Sequence, residues 1–281
     1  MMKELGYYNG QWGPLETMTV PMNDRAGYFG DGIYEAALAH NGVIFALDDH
    51  LRRLWRSADK LRIELRWTQD EMRDILYDML SKVEPGDTLV YWQVTRGTAL
   101  RNHAFPNGVP ANLWITLKPI TLGDPRHRLR LITVEDTRFL HCDIKTLNLI
   151  PNVMAAQLAA EAGCDESVFH RGEVVTECAH SNISILKDGR FITHPTDNYI
   201  LPGITRARLL DACAEVGIPT EERTFTLAEL MDADEVIVSS TTKGGVLAGE
   251  IDGQAVGGRA EAVFARLQAA YTARYERETA K

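Results

Sequence analysis

One lysine, one glutamate and a scattered set of basic and hydroxyl side chains are the residues of this chain whose types and spacing could do chemistry. Lys145 follows an apolar strand-like run (Leu131, Ile132, Val134), is flanked by Ile144 and Leu147, and precedes a helix beginning around Pro151. An amine kept in apolar surroundings has its ammonium form disfavoured and becomes a nucleophile that can form an imine with an aldehyde. The bland alternative is a side chain that carries its charge out to solvent. Glu177 closes the β-branched run Val174-Val175-Thr176-Glu177, and a carboxylate there suits a cofactor's protonated ring nitrogen. Amine and carboxylate together suggest pyridoxal phosphate.

Two further stretches read as phosphate cradles. Ile200-Leu201-Pro202-Gly203-Ile204-Thr205-Arg206 leads into a helix to about Val216, so Ile204 and Thr205 would sit where free N–H groups and the helix dipole attract an anion. Val236 to Lys243 is an apolar strand running into hydroxyls, among them Ser240 and Thr241, which could donate to the same phosphate. An ordinary helix start and an ordinary turn would look the same. Arg101 and His103 stand two apart in a loop rich in Gly, Asn and Pro. Extended, that loop would present both on one side.

The elements that must position these residues follow from periodicity. Asn9-Gly10 separates two short strands in the opening stretch. Leu47, Leu51, Leu54, Ala58 and Leu61 form the apolar stripe of a helix capped by Asp48 or Asp49 and running to about Ile63, with Arg53 at the margin of that stripe. A second helix spans Thr68 to Val83, and strands follow at 88–96 and 111–117. Two prolines and a glycine within residues 119–125 mark a linker. The expected organisation is an N-terminal α/β domain over 1–118 and a C-terminal domain over 126–281. The latter would hold Lys145, a helix from Pro151 to Ala162, strands near 166–170, 173–177 and 182–186, and a final helix from Ala260 to about Arg277.

Composition excludes several classes. The 281 residues are 45% hydrophobic, enough for a full core. A formal charge of -9, with basic residues interleaved among acids, argues against a nucleic-acid surface. No run approaches the roughly 20 apolar residues of a membrane span, and the first residues lack the apolar segment of a signal peptide, so a cytoplasmic protein is expected. The cysteines, at 142, 164, 178 and 213, have the spacing of neither a zinc site nor a disulfide framework.

From Thr137 the chain reads TRFLHCDIKTLNLIPNVMAAQLAAEAGCDESVFHRGEVVTECAHSNISIL, which resembles the class IV aminotransferases, pyridoxal phosphate enzymes of fold type IV. Lys145, Asn148, the alanine-rich helix from Ala155 to Ala160, Glu177, Ser181 and Asn182 carry that resemblance. Asp24-Arg25-Ala26-Gly27-Tyr28-Phe29-Gly30-Asp31-Gly32-Ile33-Tyr34-Glu35, His50-Leu51-Arg52-Arg53-Leu54 and Leu201-Pro202-Gly203-Ile204-Thr205-Arg206 extend it. The Arg101/His103 pair is similar to the carboxylate trap of the D-amino-acid branch.

The resemblance implies an α+β architecture of two α/β domains with the active site at their interface, in a homodimer. It implies transfer of an amino group from a D-amino acid such as D-alanine to a 2-oxo acid such as 2-oxoglutarate. Lys145 would tether pyridoxal phosphate and move the α-proton, while Glu177 would hold the ring nitrogen. Arg53, Ile204, Thr205, Thr241 and, less directly, Ser240 would bind the phosphate, and Tyr34, Arg101 and His103 the substrate carboxylate. Branched-chain L-amino-acid and (R)-amine aminotransferases and an aminodeoxychorismate lyase are the alternatives within the fold. A noncatalytic small-molecule binding protein is the alternative outside the enzymes. One departure stands out: Cys178-Ala179-His180 replaces a serine-rich run, and a histidine there could reshape the pocket.

Overall fold

A computed structural model describes residues 1–280, which divide into two compact units. The first comprises Met1–Leu122 and Ile144–Asn148, joined by the C-terminal residues from Glu278; the second comprises Gly123–Asp143 and Leu149–Arg277.

The first unit is built on a six-stranded sheet. Its strands are β1 (Leu5–Tyr8), β2 (Gln11–Gly13), β3 (Gly32–His40), β4 (Val43–Ile44), β5 (Thr88–Thr95) and β6 (Asn112–Pro119), in the order β2-β1-β6-β5-β3-β4. Asn9 and Gly10 both have positive φ (48° and 96°), which makes the β1–β2 hairpin turn tight, as the dipeptide predicts. Every pairing in this sheet is antiparallel. Strand β6 runs two residues past the predicted end, to Pro119, which pairs with Thr88 at the close of the ladder. A proline is tolerated there because a terminal position needs no further N–H.

Three helices accompany the sheet: α1 (Arg25–Phe29), α2 (Leu47–Leu61) and α3 (Gln69–Leu80). Leu47, Leu51, Leu54 and Ala58 of α2 are buried as the stripe predicts, each large apolar side chain contributing roughly 1.5–3 kcal/mol, while Leu61 at the end of the stripe is half-buried. The expected cap does not form. Ala46, with φ of 52°, occupies the N-cap without a side-chain hydrogen bond, and Asp48 and Asp49 lie inside the first turn, where they face the positive end of the helix. Thr68 does cap α3, its hydroxyl taking the Glu71 N–H while the Glu71 carboxylate takes the Thr68 N–H.

The second unit carries a nine-stranded sheet. Its members are β7 (Leu129–Glu135), β8 (Glu166–Arg171), β9 (Val174–Cys178), β10 (Asn182–Lys187), β11 (Arg190–Thr193), β12 (Thr220–Glu222), β13 (Glu235–Ser240), β14 (Gly244–Ile251) and β15 (Gln254–Ala255). The order is β12-β11-β10-β13-β14-β7-β8-β9, with β15 on β14. Helix α4 (Ile150–Glu161) crosses between the parallel strands β7 and β8. Helices α5 (Ile204–Glu215), α6 (Leu227–Met231) and α7 (Glu261–Thr279) complete the described residues. The central strands β10 and β13 are buried along almost their whole length, as strands covered on both faces are.

A cut at residues 119–125 assigns Lys145 to the C-terminal domain; contacts assign it to the first unit. Thr146 bridges Ile33 of β3, the Leu147 N–H donates to the Gly32 carbonyl at 3.1 Å, and Ile144 is part of the first unit's core. Periodicity along the chain cannot reveal a five-residue excursion that pairs with a strand more than a hundred residues earlier.

Candidate active site

Lys145 is held at its backbone from two sides within the first unit. Its carbonyl accepts the Tyr34 N–H at 2.9 Å, and its N–H donates to Ser57 Oγ at 3.3 Å. The half-buried side chain brings Nζ to 4.2 Å from the centroid of the Tyr34 ring, within range of a cation–π contact. Tyr34 in turn stacks on Tyr91, with centroids 5.5 Å apart, and the Tyr91 hydroxyl donates to Gln93 Oε1 at 2.7 Å. Burial, with the neighbouring Tyr34, pushes the Tyr91 hydroxyl well above the ordinary tyrosine range. Asn148 Nδ2 donates to the Gly30 carbonyl at 3.0 Å.

The glycines explain how this segment comes so close. Gly30 ends α1 in the left-handed region, with φ of 60°. A Cβ on Gly32 would lie 2.7 Å from both the Val94 carbonyl oxygen and a Leu147 methyl. The run from Asp24 to Glu35 is thus a short helix plus a surface that admits the lysine segment.

Arg53 is buried rather than marginal, at 3% exposure. Its Nε and Nη2 donate to the two oxygens of Glu35 at 2.8 and 2.7 Å, and His50 Nδ1 lies 2.7 Å from the same carboxylate. Burial opposes the charged form of Glu35, but Arg53 and His50 together outweigh it and bring the carboxyl down to about 2. Burial lowers His50 in turn, against the attraction of Glu35. The sequence reading missed Glu35 as Arg53's partner. The signal was available in the alternation of β3, which puts an acid on a core-facing position.

Arg101 and His103 are exposed, and an aromatic ring rather than an extended strand brings them together. The Arg101 guanidinium carbon stands 5.3 Å from the centroid of Phe29, and the His103 ring lies 5.1 Å from it. Arg25 holds the loop between them, donating to the Asn102 carbonyl at 2.6 Å.

The remaining candidates belong to the second unit. Glu177, near the end of β9, is buried. Its Oε1 accepts from Arg138 Nη1 at 2.5 Å, and its Oε2 accepts from Asn182 Nδ2 and the Leu201 N–H, both at 3.0 Å. Burial pushes the carboxyl up, to about 7, with Arg138 and the Leu201 N–H pulling the other way. Arg138 is fixed by Asp136, which accepts from its Nε and Nη2 at 2.9 Å each, and it lies over the Phe169 ring at 4.5 Å. Sequence reasoning missed Arg138 and Asp136. An acid and an arginine two apart, just after an apolar strand, were the only hint.

Helix α5 begins at Ile204 with Gly203 at its N-cap and no side-chain cap, leaving its first N–H groups without the usual acceptor. Thr205 is buried there. Helix α5 packs on β13, where Ser239 and Ser240 both bury hydroxyls that have no hydrogen-bond partner. Thr241 is half-buried and does have partners. The uncapped amides of α5 and the orphaned buried hydroxyls of β13 are each donors of the kind that fits a phosphate. Glu177 likewise retains acceptor capacity beyond its three donors, which fits a protonated ring nitrogen. Among the described residues, no group of three His, Cys, Asp or Glu side chains could hold a metal ion, and no helix is long and apolar enough to cross a membrane.

The pattern that defines amino-transferase class IV matches residues 32–251. The chain belongs to the class IV aminotransferases. It is 39% identical over 273 residues to a D-alanine aminotransferase of Staphylococcus haemolyticus, covering 93% of this chain and 94% of that protein. It is 42% identical over 234 residues to one of Listeria monocytogenes (strain 10403S), covering 81% and 80%, and 38% identical over 252 residues to one of Bacillus licheniformis, covering 89% of each. Among solved structures, the branched-chain amino acid aminotransferase of Escherichia coli superposes with a TM-score of 0.89 at 23% identity, over 98% of this chain and 96% of that one. The branched-chain aminotransferase of the archaeon Thermoproteus uzoniensis, with norvaline, gives 0.87 at 23%, over 98% and 96%. At that identity the match establishes fold type IV and not the substrate. As a class IV aminotransferase the protein is a pyridoxal-phosphate-dependent enzyme acting on amino acids and 2-oxo acids.

Proposed function

We propose that this aminotransferase moves the amino group of a D-amino acid, such as D-alanine, to a 2-oxo acid such as 2-oxoglutarate. The observation that carries the reading is the kinship of 38–42% identity with D-alanine aminotransferases over most of the chain. The placement of Arg101 and His103 on one aromatic ring supports it, since two donors so placed suit a substrate carboxylate.

Each residue then has a task. Bound pyridoxal phosphate supplies an electron sink for the α-carbon's electrons. Lys145 Nζ is the amine that holds the cofactor and carries the proton to and from the substrate α-carbon, and the Tyr34 ring restricts where that amine can go. Glu177 accepts the ring nitrogen's proton in a hydrogen bond, and Arg138, Asn182 and the Leu201 N–H keep its carboxylate aimed. Arg53, Ile204, Thr205, Ser240 and Thr241 hold the phosphate. Arg101, His103 and Tyr34 orient the substrate by its carboxylate, which fixes the face that loses the proton. The protein works in the cytoplasm as a homodimer, in which the exposed Arg101/His103 loop is covered.

A half-reaction screen tests the reading. The enzyme is mixed with single D- and L-amino acids while conversion of the cofactor to its amine form is followed by absorbance. D-alanine is expected to convert it. Conversion by L-amino acids alone overturns the handedness, and a Lys145→Ala variant with normal turnover overturns the assignment of the lysine.

A further inference from the structure

The buried acid Glu166 lies outside the machinery described above. It opens β8, its side chain is entirely buried, and among the described residues no arginine or lysine forms an ion pair with it. Its Oε1 takes the Ser167 N–H at 3.2 Å. Its Oε2 takes the Ser181 hydroxyl at 3.1 Å and is in close contact with His180 Nδ1. His180 Nδ1 also lies 3.2 Å from the Ser181 hydroxyl oxygen, so the imidazole, the hydroxyl and the carboxylate meet at one point. A carboxylate removed from water costs several kcal/mol unless such donors replace its hydration. Here the donating hydroxyl and the imidazole in contact with the same oxygen come from consecutive residues of one short connection.

That connection joins β9 to β10, and its next residue is Asn182. Asn182 Nδ2 spends both hydrogens, on Glu177 Oε2 at 3.0 Å and on the Leu201 carbonyl at 2.9 Å. Its Oδ1 occupies the space that a Cβ on Gly203 would need. The tripeptide His180-Ser181-Asn182 therefore ties two buried carboxylates together: its first two residues grip Glu166 and its third grips Glu177. The turn has two further internal contacts, the Cys178 N–H to the Ser181 carbonyl at 2.8 Å and His180 Nδ1 to Ser181 Oγ at 3.2 Å, and Asn152 Nδ2 anchors the Ala179 carbonyl at 2.7 Å.

We propose that Glu166 is a positioning residue for Glu177, acting through His180 and Ser181 to set the register of Asn182 and so the aim of the Glu177 carboxylate at the cofactor ring. It rests on the assignment of Glu177 to the ring nitrogen. It also gives the departure at 178–180 a purpose. His180 lies against the Glu166 carboxylate with 57% of its own side chain left in solvent, so it braces the turn from outside instead of filling the pocket.

The test compares the holoenzymes of Glu166→Gln, Glu166→Ala, Ser181→Ala and Glu177→Gln. Four readouts are taken: the pyridoxal phosphate dissociation constant, the pH titration of the bound cofactor's absorbance, steady-state kcat and KM, and the Asn182–Glu177 distance in crystals. Losing the acceptor of a charge-assisted hydrogen bond corresponds to about a tenfold change or more. Glu166→Ala is expected to weaken cofactor binding about tenfold, to move the absorbance titration by about half a unit, and to lower kcat more than it changes KM. Ser181→Ala should follow by about fivefold, and Glu166→Gln, which keeps one acceptor oxygen, should fall between Ser181→Ala and the wild type. Should Glu166→Ala fail to fold, Ser181→Ala, which removes only a hydroxyl, decides. Cofactor affinity within twofold of wild type, an unmoved titration and an unchanged Asn182–Glu177 distance would sink the proposal. If Glu177→Gln alone leaves affinity and titration unchanged, the ring-nitrogen assignment falls; a broken Asn182–Glu177 contact in Ser181→Ala crystals would still uphold the link from Glu166.

Discussion

Lys145 Nζ lies 4.2 Å from the centre of the Tyr34 ring, and the backbones of the same two residues share a 2.9 Å hydrogen bond. Backbone and side chain thus fix each other. Replacing Tyr34 by Phe keeps the ring, whereas Leu removes it. A partly desolvated cation–π contact amounts to about 1–2 kcal/mol, so Tyr34→Leu should lower kcat/KM about tenfold beyond the effect of Tyr34→Phe. Steady-state kinetics with D-alanine measures the difference; equal losses in the two variants would mean the ring does not restrain the amine.

Gly32→Ala should disturb Lys145 without touching it. The new Cβ would meet the Val94 carbonyl, which cannot move, and the Leu147 methyl, which can. Overpacking of this kind costs about 1–3 kcal/mol. Urea unfolding should register that loss, and activity should fall further than stability because Leu147 belongs to the lysine's own segment. Activity that merely tracks the folded fraction would refute the coupling.

The Arg53–Glu35 pair should behave as a buried ion pair. Arg53→Met leaves the Glu35 carboxylate buried without its main partner, a cost of about 3–5 kcal/mol, while Arg53→Met with Glu35→Leu should recover much of it. The Glu35 carboxyl falls from its ordinary 4.5 to about 2 in the folded chain. The unfolded chain therefore binds the proton first as pH drops, and the pair's contribution, complete above about 4.5, is lost as pH falls towards 2. Denaturation midpoints in acid, compared with those of the double variant, check the sign.

Glu177 should act in the opposite sense. Burial holds its carboxyl at about 7 against an ordinary 4.5, so in cofactor-free protein the folded state keeps a proton that the unfolded state releases. Stability should decline as pH rises from about 4.5 to 7, and Glu177→Gln should flatten that decline. An unaltered pH dependence in the variant would assign the slope to other groups.

Arg101→Ala and His103→Ala should raise KM for the amino donor while leaving cofactor affinity unchanged, because neither side chain is buried in the fold. A charge-assisted hydrogen bond to a carboxylate contributes about 1.5–3 kcal/mol, hence a loss of about tenfold to a hundredfold in kcat/KM for each. Equilibrium dialysis of the cofactor together with donor saturation curves separates the two effects.

Local patterns were legible wherever local physics decides. The apolar stripe of α2, the Thr68 capping box, the Asn9-Gly10 hairpin and the uncapped start of α5 at Gly203 are each set by residues within one or two turns of one another. The burial of Arg53 was not legible from the pattern of α2 alone, because the acid that neutralises it lies on β3. The Arg138–Asp136 brace behind Glu177 escaped for the same reason: an arginine two residues from an aspartate usually marks a solvated surface, and only the sheet reveals that both are covered.

By itself the sequence determined the order and type of most elements, the lysine and the glutamate as the chemically unusual residues, and membership of a family. All of these are carried by residue identity and short-range spacing. Tertiary structure decided which unit owns Lys145, which carboxylate each buried arginine serves, and that Glu166 and Glu177 are tied by one tripeptide. Those outcomes depend on pairings between positions far apart along the chain, where burial and the need to satisfy every buried charge select one arrangement from many that the sequence leaves open.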